Sequence, residues 1–436
     1  MKPVIPLIFA LLLVLPAPLM AQEEGTSFDE EIEIDFSEDE DFELDLDESE
    51  AYEPPSPFRY ALDHQVSYRV GEDPSLINNR SGLSIEYNES IAEDYYLKID
   101  IYGNLYWSDD HVANSANEDY QAEGFVREAW IQRSFKSSTL KLGYQNIVWN
   151  EVEGSLATDL VNPVDYRELF FVDFEEARIS QLMLSVAIYG DGIVWEGFIN
   201  PQPQFDKSPP SNSIYHFASP LDDYSVQPSE KSEPEVGLKG QFKLGASEIS
   251  LMTARLTPNQ KSYSLEEGSE LIENADPFMM FGATFNYPLG TILFKGDCGY
   301  RTDQGINDQD FGLTKRDIFD VAFAIEYTKN EHLWSASFSG NQVQDWNESF
   351  IYPEQTSFYT ISWSKSYLSE DLSLNAALMG VTGEPVTFFA LYSDYKIDDA
   401  LSLQTSIFLF SIDDQTSEYY AFRNEDRASL KVTYKL

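Results

Sequence analysis

The chain has 436 residues, with 28 Lys and Arg against 75 Asp and Glu, a formal net charge of -47 and a mean hydropathy of -0.34. That charge opposes nucleic-acid binding, and the single cysteine, Cys298, excludes an internal disulfide framework. No stretch after the first residues has the length of a membrane-spanning helix, so any insertion into a bilayer must use strands.

The N-terminus reads as an export signal, residues 1–21. Met1-Lys2 is a short positive start, Val4 to Leu15 is apolar apart from Pro6, and Leu19-Met20-Ala21 supplies a cleavage site before Gln22. Residues 22–57 follow as an acidic tail that should stay disordered on the periplasmic side. Between positions 22 and 53 there are 17 Asp or Glu and no Lys or Arg, so self-repulsion opposes packing. Ile32, Ile34 and Phe36, then Phe42, Leu44 and Leu46, nevertheless alternate with acids at strand period, which leaves open a docking strip for a basic periplasmic partner.

From Phe58 to Leu436 the apolar residues recur every second position in segments about ten residues long. Tyr95, Leu97, Ile99 and Ile101 alternate with Tyr96, Lys98 and Asp100, and Phe319, Val321, Phe323 and Ile325 alternate with Asp320, Ala322, Ala324 and Glu326. This alternation predicts an all-β transmembrane antiparallel barrel in the bacterial outer membrane. Eighteen strands are predicted near 58–70, 79–88, 94–107, 124–135, 138–149, 178–189, 191–200, 234–244, 247–256, 277–287, 290–300, 316–328, 331–342, 356–366, 370–380, 385–396, 399–411 and 420–436. Sixteen is the other count the boundaries allow. Connections alternate short and long, so both termini should be periplasmic with the long loops outside. Apolar residues should face outer-membrane lipids. The last strand, ending Leu430, Val432, Tyr434 and Leu436, should be read by the barrel-assembly machinery, although a terminal aromatic is replaced by leucine.

By parity the lumen is lined by Lys98, Asp100, Glu128, Lys141, Glu196, Lys239, Lys295, Asp320 and Glu326. Opposite charges on adjacent inward positions either pair across strands or line a permeation path. Residues 150–177 form a long connection carrying the apolar run Leu169-Phe170-Phe171-Val172. Folded into the barrel, this loop would place Glu151, Asp165, Arg167 and Glu168 at a constriction; the other reading is an extracellular loop with its own small cluster. Acidic loops at the mouth should raise the local cation concentration.

Arg127-Glu128-Ala129-Trp130-Ile131, the run Leu140 to Glu151, and Asn162-Pro163-Val164-Asp165-Tyr166-Arg167-Glu168-Leu169 together resemble an uncharacterised family of porin-like outer-membrane barrels. Members often occur beside RND-type lipid transporters, and the alginate-export porins are more distantly similar. The family's Gly-Arg-Gln is Gly143-Tyr144-Gln145 here. The resemblance implies passage of a small solute or lipid-like molecule through the outer membrane.

No catalytic residue, metal ligand or cofactor is expected. His216, with Ser211, Ser213 and Asp222, is the one set from which a hydrolase site could be argued, and Asp303, Asn307, Asp308 and Asp310 lack the spacing of a calcium loop. The expectation is therefore a porin-like channel or exporter, with a barrel that serves only envelope interactions as the alternative and an outer-membrane hydrolase as the remote third.

Overall fold

The computed structural model describes residues 56–436, apart from 72, 117, 169–173, 211–212, 217–220, 222–223, 229–232, 267–269 and 416. The signal segment and the tail up to Pro55 lie outside the described residues. So does the run Leu169-Phe170-Phe171-Val172 that was expected to seek a buried surface.

Among the described residues twenty-one strands follow in chain order, the longer ones built on alternating apolar and polar residues. They are β1 (Phe58–Arg69), β2 (Ser75–Ala92), β3 (Tyr95–Trp107), β4 (Tyr120–Phe135), β5 (Ser138–Gln145), β6 (Gln181–Gly190), β7 (Ile193–Asn200), β8 (Ser225–Gln227), β9 (Glu235–Leu244), β10 (Ser247–Leu256), β11 (Ser262–Glu266), β12 (Glu270–Asn274), β13 (Phe278–Leu289), β14 (Ile292–Asn307), β15 (Leu313–Lys329), β16 (His332–Val343), β17 (Gln355–Tyr367), β18 (Leu372–Val381), β19 (Val386–Lys396), β20 (Leu401–Ile412) and β21 (Arg427–Lys435). Eighteen of them form one sheet; β8, β11 and β12 form a separate three-stranded sheet within the long loops.

Every pairing in the large sheet is antiparallel. It closes where β1 meets β21, with Ala61 opposite Lys435 and Arg69 opposite Arg427. Closure removes the exposed edge that an open sheet would present to lipid. Short turns gather at the end of the barrel that also carries both described chain termini. One of them joins β15 to β16 through Asn330 and Glu331 at φ +52 and +64, the left-handed pair that matches the twist of a tight hairpin.

Leu251, Phe281, Phe285, Phe323, Ile325, Phe338 and Ile361 are exposed on the outer face. Tyr287, Tyr327, Tyr367, Tyr395 and Tyr434, also exposed, sit within a few residues of the short turns and form an aromatic girdle there. The eighteen predicted strands are the eighteen barrel strands. Their boundaries differ at two instructive places. The segment predicted as strand through Trp149 leaves the wall after Gln145, and the last strand begins at Arg427 because Glu418–Asn424 forms a 3-10 helix that buries Tyr419 and Phe422.

The interior toward the long loops is packed. Trp149, Leu160 and Val161 meet Met183, Phe198, Met252, Leu256 and Met280 in one cluster. Val164 and Tyr166 join Tyr215, Phe388, Phe410, Tyr419 and Phe422 in another. Several inward positions in this half of the barrel are therefore apolar, whereas the lumen read from parity was polar. The reason is local: those side chains face chain, not water.

Candidate functional site

After Gln145 the chain crosses the interior. The Glu151 and Val152 amides donate to the Asp297 carboxylate on β14 at 2.9 and 3.0 Å, and Asn286 on β13 donates to the Glu151 carboxylate at 3.1 Å. Further on, the Asn259 amide donates to the Leu160 and Asn162 carbonyls, and the Gln181 amide donates to the Val161 carbonyl. Asn162 in turn accepts from the Ile147 amide at 2.8 Å and donates to the Ile179 carbonyl, tying the two arms of the segment together. Apart from the Asn286–Glu151 contact between side chains, each tie satisfies backbone that would otherwise be left unpaired away from solvent.

Beyond Val164 the segment enters two ion-pair groups. Arg167 donates to the Asp165 carboxylate at 2.6 Å and to Glu123 of β4 at 2.8 Å, while Lys207 lies 3.6 Å from Glu123 and 3.9 Å from Asp165. Both cations lie over the Phe125 ring, at 5.9 and 5.4 Å from its centroid. In the second group Arg80 of β2 meets Asp110 at 2.9 Å and Glu168 at 2.6 Å, and Glu168 also contacts His111 at 2.8 Å. His111 stands edge-on to Tyr215, which accepts from Arg427.

These contacts set the protonation of the loop groups. Burial pushes the Glu168 carboxyl upward, but Arg80 and His111 outweigh it and hold the group well below the usual carboxylate range. For Arg167 burial acts against the charge, and Asp165 and Glu123 reverse that and hold the guanidinium firmly charged. Among the described residues no cation is paired with Asp206 in this way. Burial pushes it up to about 7, against hydrogen bonds from the Val164 amide and Gln260, with Asp165 adding repulsion.

A cavity of about 1440 Å³ opens beside these groups. Asp165, Arg167 and Glu168 line it; Glu151 does not, being held against β13 and β14 instead. Lys98, Asp100, Glu128, Lys141, Glu196, Lys239, Lys295, Asp320 and Glu326 do not line it either. On the inner wall Lys98 pairs with Glu128 at 2.5 Å, Lys295 with Glu326 at 2.6 Å and Lys239 with Glu196 at 4.0 Å. Asp320 accepts from Arg301 at 2.7 Å, and Lys141 lies over the Trp130 ring at 4.2 Å.

The cavity lining carries six basic side chains, Arg80, Arg127, Arg167, Arg178, Lys207 and Lys431, against the three acids Asp165, Glu168 and Glu176. Asp110, Glu123 and Asp159, which pair with Arg80, Arg167 and Arg178, stand behind the lining. The acidic excess of the chain therefore stops short of this space. Sequence reasoning missed Asp110, His111, Glu123, Lys207 and Tyr215, because they come from two connections and a strand end that no spacing rule relates.

Of the other candidate chemistry, the described residues show parts. The Ser213 hydroxyl accepts from the Tyr215 amide, while Ser211 and Asp222 lie outside the described residues. The Asp308 carboxylate accepts from the Asp310 and Gly312 amides, so it caps the hairpin tip between β14 and β15. Among the described residues no group of three or more His, Cys, Asp or Glu is arranged to hold a metal ion.

The fold is shared with solved structures at very low identity. OccAB4 of Acinetobacter baumannii matches with a TM-score of 0.53 and 10% identity, covering 87% of this chain and 97% of that one. OccAB2 of the same organism gives 0.52 at 10% identity over 87% and 97%, and OccK8 (OprE) of Pseudomonas aeruginosa gives 0.51 at 10% over 88% and 98%. These likenesses establish a porin-like outer-membrane barrel fold. No curated protein matches by sequence. Residues 40–434 match a family model described as a protein of unknown function (DUF1302), and the chain belongs to that family.

Proposed function

We propose that the protein is an outer-membrane conduit for a small solute or lipid-like molecule bearing an anionic group, oriented with its long loops outside and both termini periplasmic. The observation that carries this reading is the cavity of about 1440 Å³ inside a closed barrel, lined by six basic and three acidic side chains in a chain of net charge -47. A solute-facing basic surface backed by buried acids attracts anions without leaving the cations unpaired in the interior. Asp165, Arg167 and Glu168 form the constriction, while Glu151 braces the crossing segment. The ion pairs Lys98–Glu128, Lys239–Glu196, Lys295–Glu326 and Arg301–Asp320 stiffen the wall around it.

Reconstitution in planar bilayers tests the proposal. Discrete conductance steps with reversal potentials favouring anions at low salt support it; no conductance from heat-modifiable, folded protein would leave the barrel as an envelope interaction module.

A further inference from the structure

The wall beside the cavity is interrupted. Strand β4 pairs with β3 from Tyr120 opposite Trp107 to Arg133 opposite Tyr95, but with β5 only from Ala129 to Phe135. Among the described residues, the β4 edge from Tyr120 to Glu128 has no strand partner on its other side, because β5 ends at Gln145 and the chain then turns inward. The Ser180 hydroxyl donates to the Val126 carbonyl at 2.8 Å, one side-chain tie where a ladder would run. Gly143 marks the floor of the interruption. Its φ is +138, and a Cβ there would stand 2.2 Å from the Ala129 carbonyl oxygen, so only glycine lets the two strands come this close as their pairing ends.

Two further observations show what the interruption connects. Val126, Tyr144 and Leu182 belong to the exposed outer face of the barrel, yet they line the same cavity as Arg167 and Glu168. The β3–β4 ladder also has an irregularity at Arg127, which lies outside the paired register and sits over the inward Tyr102 ring at 4.5 Å. Unpaired backbone is tolerated at membrane depth only where it lines a water-filled cavity or is buried in protein. At a strand rise of ~3.3 Å per residue and a tilt of ~40°, Val126 lies about 23 Å from the short-turn end, near the far boundary of an apolar band ~25 Å tall. Tyr144 and Leu182 lie lower, within that band.

Building on the conduit reading, we infer that the gap between β4 and the ends of β5 and β6 is a lateral portal, through which a single-chain amphiphile with an anionic head passes between the cavity and the membrane leaflet on the long-loop side. The head meets Arg127, Arg167 and Lys207 around Phe125. The alkyl chain lies in the gap against Val126, Tyr144 and Leu182. Ser180 bridges the opening and would be displaced as the chain enters.

Full-length protein with a photoreactive benzoyl-phenylalanine in place of Phe125, in a Cys298→Ser background, is reconstituted in liposomes containing radiolabelled hexadecyl phosphate, which stays in the bilayer. Val126→Cys with Ser180→Cys adds a lock across the gap. Adduct formation in the reduced protein, lost on oxidation and restored by dithiothreitol, is the expected result. No adduct, or equal labelling in both redox states, overturns the portal. Should the cysteine pair not oxidise, Leu182→Trp fills the same opening and is expected to abolish labelling, with retained labelling overturning the portal. Conductance recorded on the reduced preparation separates the two proposals: conductance without gated labelling refutes the portal alone, and gated labelling without conductance refutes the axial channel alone.

Discussion

The Ala157 carbonyl oxygen occupies the place of a side chain on Gly299: a Cβ on that glycine would lie 1.9 Å from it. Gly299 stands on the inner face of β14, two residues beyond Asp297, whose carboxylate holds the Glu151 and Val152 amides. The crossing segment thus rests on a wall position that has no room for a larger residue. Gly299→Val should push the segment away from β14 and raise single-channel conductance while leaving heat-modifiable mobility intact. Unchanged conductance in this variant would mean that the segment does not limit the pore.

Among the described residues Arg80 is the only cation in contact with both Asp110 and Glu168, and all three side chains are largely buried. Removing one member of such a group strands the others, at a cost of ~3–5 kcal/mol for a buried pair. Arg80→Met should therefore loosen the β3–β4 connection and residues 165–168. Limited proteolysis of folded, membrane-embedded protein should show new cleavage there, with the barrel strands still protected.

Neutralising Asp165 and Glu168 together leaves Arg167 and Arg80 with one carboxylate partner each, Glu123 and Asp110. Asp165→Asn with Glu168→Gln should shift the reversal potential further toward anions. The shift should shrink as salt rises, since charges open to solvent are screened over about 8 Å at physiological ionic strength. An identical reversal potential in the variant would place the permeation path away from these residues.

Asp206 gives a pH dependence of definite sign. Its carboxyl is pushed up to about 7, chiefly by burial, above the ordinary value of 3.8. Between those values the folded loop holds a proton that the released loop does not, so docking of this loop weakens as pH rises from about 4 to 7 and stays weakened above. Protection of residues 201–210 from proteolysis should be greater at pH 5 than at pH 8. Asp206→Asn should remove the difference, retaining the contact with the Val164 amide through its side-chain oxygen.

The barrel closes through β1 and β21, and its first strand begins at Phe58. The described ladders on both sides of β1 begin no earlier than that residue, so deletion of residues 22–57 should leave insertion and heat-modifiable mobility unchanged. Failure of the deleted protein to insert would make the tail part of the folding pathway.

The barrel strands were legible because the outer face of each is apolar and the inner face is mixed, so the two-residue period survives in their sequence. Tyr287, Tyr327 and Tyr367 announce the short-turn end in the same way. The interior was less legible. Met183, Met252 and Met280 read as members of a strand, and only the crossing segment explains why apolar side chains point inward there. Asp165 and Arg167, two residues apart, could be brought together by inspection, whereas their partners Glu123 and Lys207 lie in distant segments. The short strands β8, β11 and β12 escaped for a different reason. They pair within long connections, where three to five residues are too few to carry a period.

Closure between β1 and β21 also dictates an order of events. All other neighbours in the large sheet are joined by a turn or a loop, but Ala61 must find Lys435 across nearly the whole chain. The entropy of bringing two points together grows with the length between them, and pairings of this separation are the slowest to form. The seam is therefore expected to be the last part of the wall to set, with both terminal strands presenting open edges until then. A chain cut short before Arg427 could build seventeen strands of wall in register and still have no way to finish the ring.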